Sequence, residues 1–221
     1  MSLRLDWCSH AAAKWAVENW HYSRRMPAGK MVRIGVWEGS AFVGAVIFSQ
    51  GGSQALGARW GHSPLETCEL TRVALKAHKT PVSRIVAIAL RMLKKHCPGI
   101  KLVVSFADPT EGHAGGIYQA GGWLYTGRTP DDFEFRLDGR RIQKRAYTGI
   151  QFGRPGSKAT LPPGAVKVPT VGKHRYLMPL DAETRARLLP RAMPYPKRNA
   201  LAAVGGPGSN PADVRPDPSA P

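Results

Sequence analysis

The stretch from Glu66 to Pro109 constrains the fold more than any other. E-T-C-E-L-T-R-V-A-L-K alternates apolar and polar residues, with Cys68, Leu70, Val73 and Leu75 at the apolar positions of a half-buried strand. The three-residue step from Leu70 to Val73 breaks that alternation, so an irregularity is expected at Thr71-Arg72. H-K-T-P-V-S-R-I-V-A-I-A-L-R-M-L-K-K-H-C-P-G then carries helix signals. Thr80 is an expected N-cap, Pro81 suits the first helical position, and Val82, Val86, Ala89 and Leu93 form one stripe. Lys94, Lys95 and His96 complement the C-terminal dipole, and Pro98-Gly99 ends the helix. K-L-V-V-S-F-A-D-P reads as a buried strand with Asp108 at its carboxyl end. Strand, helix and strand in this order imply two parallel strands joined by a right-handed crossover. This commits the chain to an α/β architecture. Glu69, Arg72, Ser105 and Asp108 gather at carboxyl ends of strands, where such sheets bind ligands.

The flanking segments complete the layout. Residues 8–20 read as a helix capped by Ser9, with Trp7, Ala11, Trp15 and Val17 on its buried side. M-V-R-I-G-V-W-E and A-F-V-G-A-V-I-F-S form a hairpin turning at Gly39. Residues 50–64 are glycine-rich and are expected to be a mobile loop, since their spacing matches no phosphate-binding fingerprint. H-A-G-G-I-Y-Q-A is a short helix stopped by Gly121-Gly122, and W-L-Y-T-G begins a strand. F-E-F-R-L and R-I-Q-K-R-A-Y form a hairpin around Asp138-Gly139. Residues 152–172 are Gly/Pro-rich and expected to be irregular; D-A-E-T-R-A-R-L-L is a short helix capped by Asp181. The expected organisation is a main domain over residues 1–150, a basic extension packing on it over 151–200, and a disordered Gly/Pro-rich tail over 201–221.

Charge narrows the partner. The chain holds 32 Lys+Arg against 15 Asp+Glu, a formal net charge of +17. Such an excess points to a polyanion, most simply nucleic acid. No run approaches the ~18 apolar residues of a membrane span, and the first residues lack the apolar core of a signal peptide. Cys8, Cys68 and Cys97 are odd in number and form no C-x-x-C pair, which argues against a disulfide framework or zinc knuckle and fits a reducing cytoplasm.

E-N-W-H-Y-S-R-R-M-P, residues 18–27, concentrates chemistry: a titratable ring at His21, a phenol at Tyr22 and a hydroxyl at Ser23, with Arg24 and Arg25 beside them. Plain readings compete. A lone histidine is commonly a surface group, Tyr22 can pack on Trp20, and Ser23 can turn the loop. Arg24 and Arg25, with Arg140, Arg141, Lys144 and Arg145 further on, are candidate phosphate contacts.

The element order, with E-L-T-R-V-A-L, T-P-V-S-R-I-V, V-V-S-F-A-D-P and G-G-I-Y-Q-A-G-G-W, resembles the GNAT acyltransferase fold. That likeness implies a three-layer α/β fold with a mixed central sheet. W-H-Y-S, E-L-T-R, F-A-D-P and I-Y-Q-A-G-G-W, followed by K-H-R-Y-L-M-P-L-D and P-Y-P-K-R, resemble the Mom family of phage DNA-modification proteins over about residues 15–198. The resemblance implies conversion of adenine in double-stranded DNA to its N6-carbamoylmethyl form, which shields phage DNA from restriction in the host cytoplasm.

Carried over by motif, the functional positions are His21, Tyr22, Arg72, Ser83, Asp108 and Tyr118. His21 is then a general base toward the adenine amine or a metal ligand, and Tyr22 a stacking surface or iron ligand. Asp108 orients a proton donor or holds the amine, and Tyr118 matches a tyrosine that protonates a departing thiolate. Acetyl-coenzyme A or a related acyl donor and an iron centre, with Glu18 or Glu69 as its carboxylate, both stay open as cofactors. One departure matters: a GNAT pyrophosphate loop carries glycines, whereas this chain has H-K-T-P-V-S. Lys79, Thr80 and Ser83 remain to hold an anion there. A conventional acetyl-coenzyme A-dependent N-acetyltransferase and a non-catalytic DNA-binding protein stay open as alternatives.

Overall fold

A computed structural model describes residues 2–51, 53, 55–142, 144–148, 150–151, 154–155 and 159–197. Helices and strands follow as β1 (Leu3–Trp7), α1 (His10–Trp20), β2 (Met31–Glu38), β3 (Ala41–Ser49), β4 (Thr67–Leu75), α2 (Val82–His96), β5 (Leu102–Ala107), α3 (Gly116–Ala120) and β6 (Leu124–Arg128). Then come β7 (Asp132–Leu137), β8 (Arg140–Ile142), α4 (Lys144–Thr148), β9 (Ile150–Gln151), β10 (Arg154–Pro155), β11 (Val166–Thr170), β12 (His174–Pro179) and α5 (Ala182–Leu188). The expected tail, residues 201–221, lies outside the described residues.

Among the described residues one sheet runs in the order β1-β2-β3-β4-β5-β12-β6. Only β4 and β5 pair in parallel, as the α2 crossover requires; the other ladders are antiparallel, so the sheet is mixed. Helices cover both faces, which gives the three layers expected of the α/β fold. On one face α2 and α3 bury Ile85, Val86, Ala89, Leu93 and Tyr118 against Phe48, Leu70, Val103 and Tyr176. On the other, α1 seats Ala13, Ala16 and Val17 on Ala45, Ile47 and Ala74. Small residues on both sides let that helix lie close to the sheet. Further along the same face Trp60 and Leu188 close over Leu102, Val104, Leu124 and Leu177.

Several expectations change. The buried stripe of α1 is Ala13, Ala16 and Val17, while Trp7 and Trp15 are 46% and 51% exposed. Trp15 instead meets the edge of Trp20, and Trp7 that of His96. Thr80 does not cap α2; Pro81 occupies the cap position without a side-chain bond, and the helix begins at Val82. Within the 50–64 segment, expected to be a mobile loop, Trp60 is packed into the core at 4% exposure. Residues 174–179 do not pack on the outside of a finished domain. They form β12, inserted between β5 and β6, so the 151–200 segment completes the main sheet. Its cross-strand hydrogen bonds to both neighbours override the charged and Pro-containing sequence H-R-Y-L-M-P.

A second, three-stranded sheet runs β11-β7-β8. The β7–β8 hairpin turns at Asp138 and Gly139, both with positive φ (49° and 73°), as a tight hairpin demands. The second arm stops at Ile142, and Lys144 and Arg145 lie on α4 instead. Residues 166–170 pair with β7 rather than staying irregular.

Candidate active site

The site forms where β4 and β5 part. Their parallel ladder runs Thr67↔Leu102, Cys68↔Val103 and Glu69↔Val104, and then ends. Opposite β3, Arg72 pairs with Ile47 and Leu70 with Phe48, so Thr71 is an extra residue in the strand. This bulge is the irregularity expected at Thr71-Arg72. It bends β4 away from β5 and brings Glu69 and Arg72 to one face of the strand. The Glu69 charge acts on Arg72 accordingly. At the crotch of the fork the Ser105 hydroxyl donates to the Leu70 carbonyl at 3.0 Å. Because that carbonyl can only accept, the Tyr118 hydroxyl is the donor in its 2.8 Å bond to Ser105 Oγ.

Residues 18–27 close the mouth of this fork. α1 ends at His21, whose N–H still reaches Val17 O at 3.2 Å. The chain then reverses through Arg24, which holds an uncommon positive φ of 47° for a side chain with a Cβ. Arg72 Nε donates to Arg25 O at 3.0 Å, and Arg72 Nη1 to Thr71 O at 2.6 Å. The bulged strand therefore holds the loop.

The His21 ring is defined by its partners. Ser23 N–H donates to Nδ1 at 3.1 Å, and Ser23 Oγ lies 2.9 Å from the same atom. A backbone N–H can only donate, so Nδ1 is the acceptor and the neutral ring carries its proton on Nε2. Burial, then the nearby charges of Arg72 and His113, push its pKa down to about 3. His21 is thus a neutral Nε2–H donor near pH 7. The general-base role expected from the sequence does not fit, because Nδ1 is already an acceptor and Nε2 bears the proton.

Tyr22 stacks on His21 with ring centres 4.3 Å apart and faces His113 at 5.8 Å. Its side chain is half exposed. Burial raises its pKa most, Asp108 next, while Arg72 pulls the other way, and Glu111 and Arg141 contribute in turn. These couplings place Tyr22 among groups from β4, β8 and the turn after β5. His113 was missed in the sequence: a lone histidine in a loop carries no periodic signal.

Asp108 is 5% exposed, and both of its carboxylate oxygens are bonded. Oδ1 accepts from Thr110 N–H (3.1 Å) and Thr110 Oγ1 (2.6 Å), capping the short 3-10 turn Pro109–Glu111. Oδ2 pairs with Lys173 Nζ at 2.8 Å. Burial alone would raise its pKa, but the bonds from Lys173 and Thr110 prevail and hold it below the usual carboxylate range. Tyr118 is buried and its pKa is driven up, chiefly by burial, so it stays protonated. Gly115, at φ 80°, lets α3 start against the Tyr176 ring, where an added Cβ would lie 2.3 Å from Cε2. That contact sets the depth of Tyr118.

The basic candidates divide. Arg25 Nη2 donates to Arg141 O at 3.3 Å, so the site loop touches the small sheet. Arg141 pairs with Glu134 at 2.9 Å and its charge reaches Tyr22. Arg24 is exposed beside them, and Arg140 is exposed at the start of β8. Lys144 bonds Asp132 and covers the Phe133 ring at 3.8 Å. The side chain of Arg145 lies outside the described residues.

The remaining candidates sit elsewhere. Glu38, 9% exposed at the end of β2, turns its carboxylate onto the loop before α2. Lys79 N–H lies 3.1 and 3.0 Å from its two oxygens, and Thr80 N–H 2.7 Å from Oε1. These bonds hold its pKa at about 2, led by the Lys79 amide and the Thr80 hydroxyl. Two of the amides with which such a loop would grip a coenzyme A diphosphate, those of Lys79 and Thr80, are therefore taken by an anion of the chain itself. Lys79 and Thr80 do not fit that group as arranged, and no bond among the described residues ties Lys79, Thr80 or Ser83 to His21 or Tyr22. An iron centre on His21 and Tyr22 does not fit either. Nδ1 is taken and Nε2 is protonated, and the described residues contain no group of three or more His, Cys, Asp or Glu placed to hold a metal.

Residues 2–197 match the Mom protein family. The chain belongs to that family. It is 29% identical over 206 residues to the methylcarbamoylase Mom of Escherichia phage Mu, covering 88% of this chain and 84% of the relative. Among solved structures, YncA from Salmonella typhimurium, a putative acetyltransferase with acetyl-CoA, is 14% identical with a TM-score of 0.48, covering 82% of this chain and 96% of the other. FeeM, an N-acyl amino acid synthase from uncultured soil microbes, is 11% identical with a TM-score of 0.46, covering 86% and 96%. No helix of the described residues is long and apolar enough to cross a membrane.

Proposed function

We propose that this chain is a transferase that modifies the exocyclic amine of adenine in double-stranded DNA to the N6-carbamoylmethyl form and so protects phage DNA from restriction. Family membership and the methylcarbamoylase relative support the reading. The observation that carries it is the half-exposed Tyr22 ring at the mouth of the fork, stacked on His21, faced by His113 and flanked by Arg72 and Arg141.

Adenine in a duplex is paired through the amine, so the base leaves the stack, at a cost of roughly a few kcal/mol. Tyr22 offers the extruded purine a π surface. His21 offers its Nε2–H to an acceptor: a ring nitrogen of the base or a carbonyl oxygen of the incoming group. Asp108 is held by three donors, from Thr110 and Lys173, and its fixed charge with Lys173 positions the turn that carries His113. Arg24, Arg25, Arg140 and Arg141 take the phosphates beside the extruded nucleotide. A conventional coenzyme A-dependent N-acetyltransferase fits less well, since Glu38 fills the amide cradle before α2.

Mass spectrometry of nucleosides from DNA of cells making the protein tests the reading. A deoxyadenosine heavier by a carbamoylmethyl group is expected. Unmodified deoxyadenosine from soluble, folded protein would refute it.

A further inference from the structure

A second cluster of positive charge lies on the face of the sheet turned away from Tyr118, around Trp60. The guanidinium carbons of Arg59, Arg175 and Arg191 lie 4.8, 5.4 and 5.8 Å from the centre of the Trp60 indole. Arg187 joins them through bonds to Trp60 O (2.6 Å) and His62 Nε2 (2.6 Å). Arg175 is only 8% exposed, with Nε and Nη2 on Thr126 Oγ1 and O. Arg191 Nη1 bonds Arg59 O at 3.1 Å.

These contacts orient the arginines but neutralise none of them. No ion pair joins any of the four to a carboxylate among the described residues. The nearby acids, Glu66 and Asp181, are committed to Ser63 and Thr184 and act on His62. Burial and the Arg59 charge both depress the Arg175 pKa, so the cations repel one another. At the centre, the Trp60 indole N–H is buried and has no acceptor. A buried donor without an acceptor calls for a missing partner, and the three guanidinium groups lying over the same indole favour an anionic one.

We propose that the Trp60 cluster is a phosphate-binding site, separate from the fork, with the indole N–H and the unengaged N–H groups of Arg59, Arg175 and Arg191 as donors. The recognised chemistry is a tetrahedral oxyanion, carried by a nucleic-acid strand or free. The inference does not depend on adenine chemistry and survives if that reading fails.

Proton–nitrogen NMR of the full chain tests it. The Trp60 indole resonance is assigned by its loss in Trp60→Phe, and wild-type protein is titrated with inorganic phosphate or with a duplex oligonucleotide, against chloride at matched ionic strength. A saturable shift with phosphate but not chloride is expected, weakened at least about tenfold when Arg59→Gln and Arg191→Gln are combined. A shift with the duplex alone supports a strand phosphate as the source, and a shift with phosphate alone supports a free phosphate. No movement with either probe, or equal movement with chloride, overturns the proposal.

Discussion

Arg72 Nε donates to the backbone carbonyl of Arg25 at 3.0 Å, so a side chain of the bulged central strand holds the loop that presents His21 and Tyr22. Arg72 reaches this carbonyl and that of Thr71 from two nitrogens fixed in one plane, Nε and Nη1, a geometry that a single ammonium nitrogen does not reproduce. Arg72→Lys is therefore expected to loosen residues 21–26, speeding their amide exchange while β4 stays protected, and to cut adenine modification by about tenfold, the equivalent of one lost charged hydrogen bond. Unchanged exchange would remove Arg72 from this role.

His21 makes a pH signature. Its folded pKa, about 3, lies below that of an unfolded histidine. Between the two values the unfolded chain binds the extra proton, so stability falls as pH drops from about 6.5 toward 3. His21→Asn keeps a neutral ring-sized side chain and should flatten that part of the stability–pH curve, read by urea denaturation at a series of pH values. Parallel curves for the two proteins would contradict the buried, neutral imidazole.

Glu38 behaves with the opposite charge type and the same sign of slope. Its folded pKa of about 2 lies below the usual carboxylate value, so its contribution is complete above pH ~4.5 and lost as pH falls toward 2. Glu38→Gln should lower stability at pH 7 by about 1.5–3 kcal/mol and remove this acid limb. If the loop instead accepts a diphosphate once emptied, the variant gains coenzyme A binding that calorimetry detects; wild-type protein should show none.

Salt sets a further test. Arg25 and Arg141 lie together at the fork, and each phosphate contact releases counterions. Log–log plots of duplex affinity against salt should be steep for wild-type protein. Their slope should fall by about 1 in Arg25→Ala and again in Arg140→Ala. A flat wild-type plot would argue against duplex DNA as the partner.

Local patterns carried most of the helices and the parallel pair. The α2 stripe, the Asp181 cap and the Asp138-Gly139 turn are each decided by neighbours in sequence, and the broken alternation at Thr71-Arg72 announced the bulge. What depends on distant partners was not readable. β12 is a central strand because β5 and β6 flank it, although its own residues include His, Arg and Pro. Nothing in the neighbouring sequence links Glu38, at the end of its strand, to Lys79; the fold sets them side by side. His21, Tyr22, Arg72, Asp108 and Tyr118 were named from sequence, His113 and Lys173 were not, and no protonation state was readable: the His21 tautomer rests on one backbone N–H two residues away.

The most direct measurement is the fraction of modified deoxyadenosine in DNA from cells making equal amounts of wild-type or Tyr22→Ala protein, with Trp15→Ala as an exposed-aromatic control. Modification by wild type and the control, with its loss in Tyr22→Ala, is the expected result. Equal modification by all three would place the chemistry somewhere other than the fork between β4 and β5.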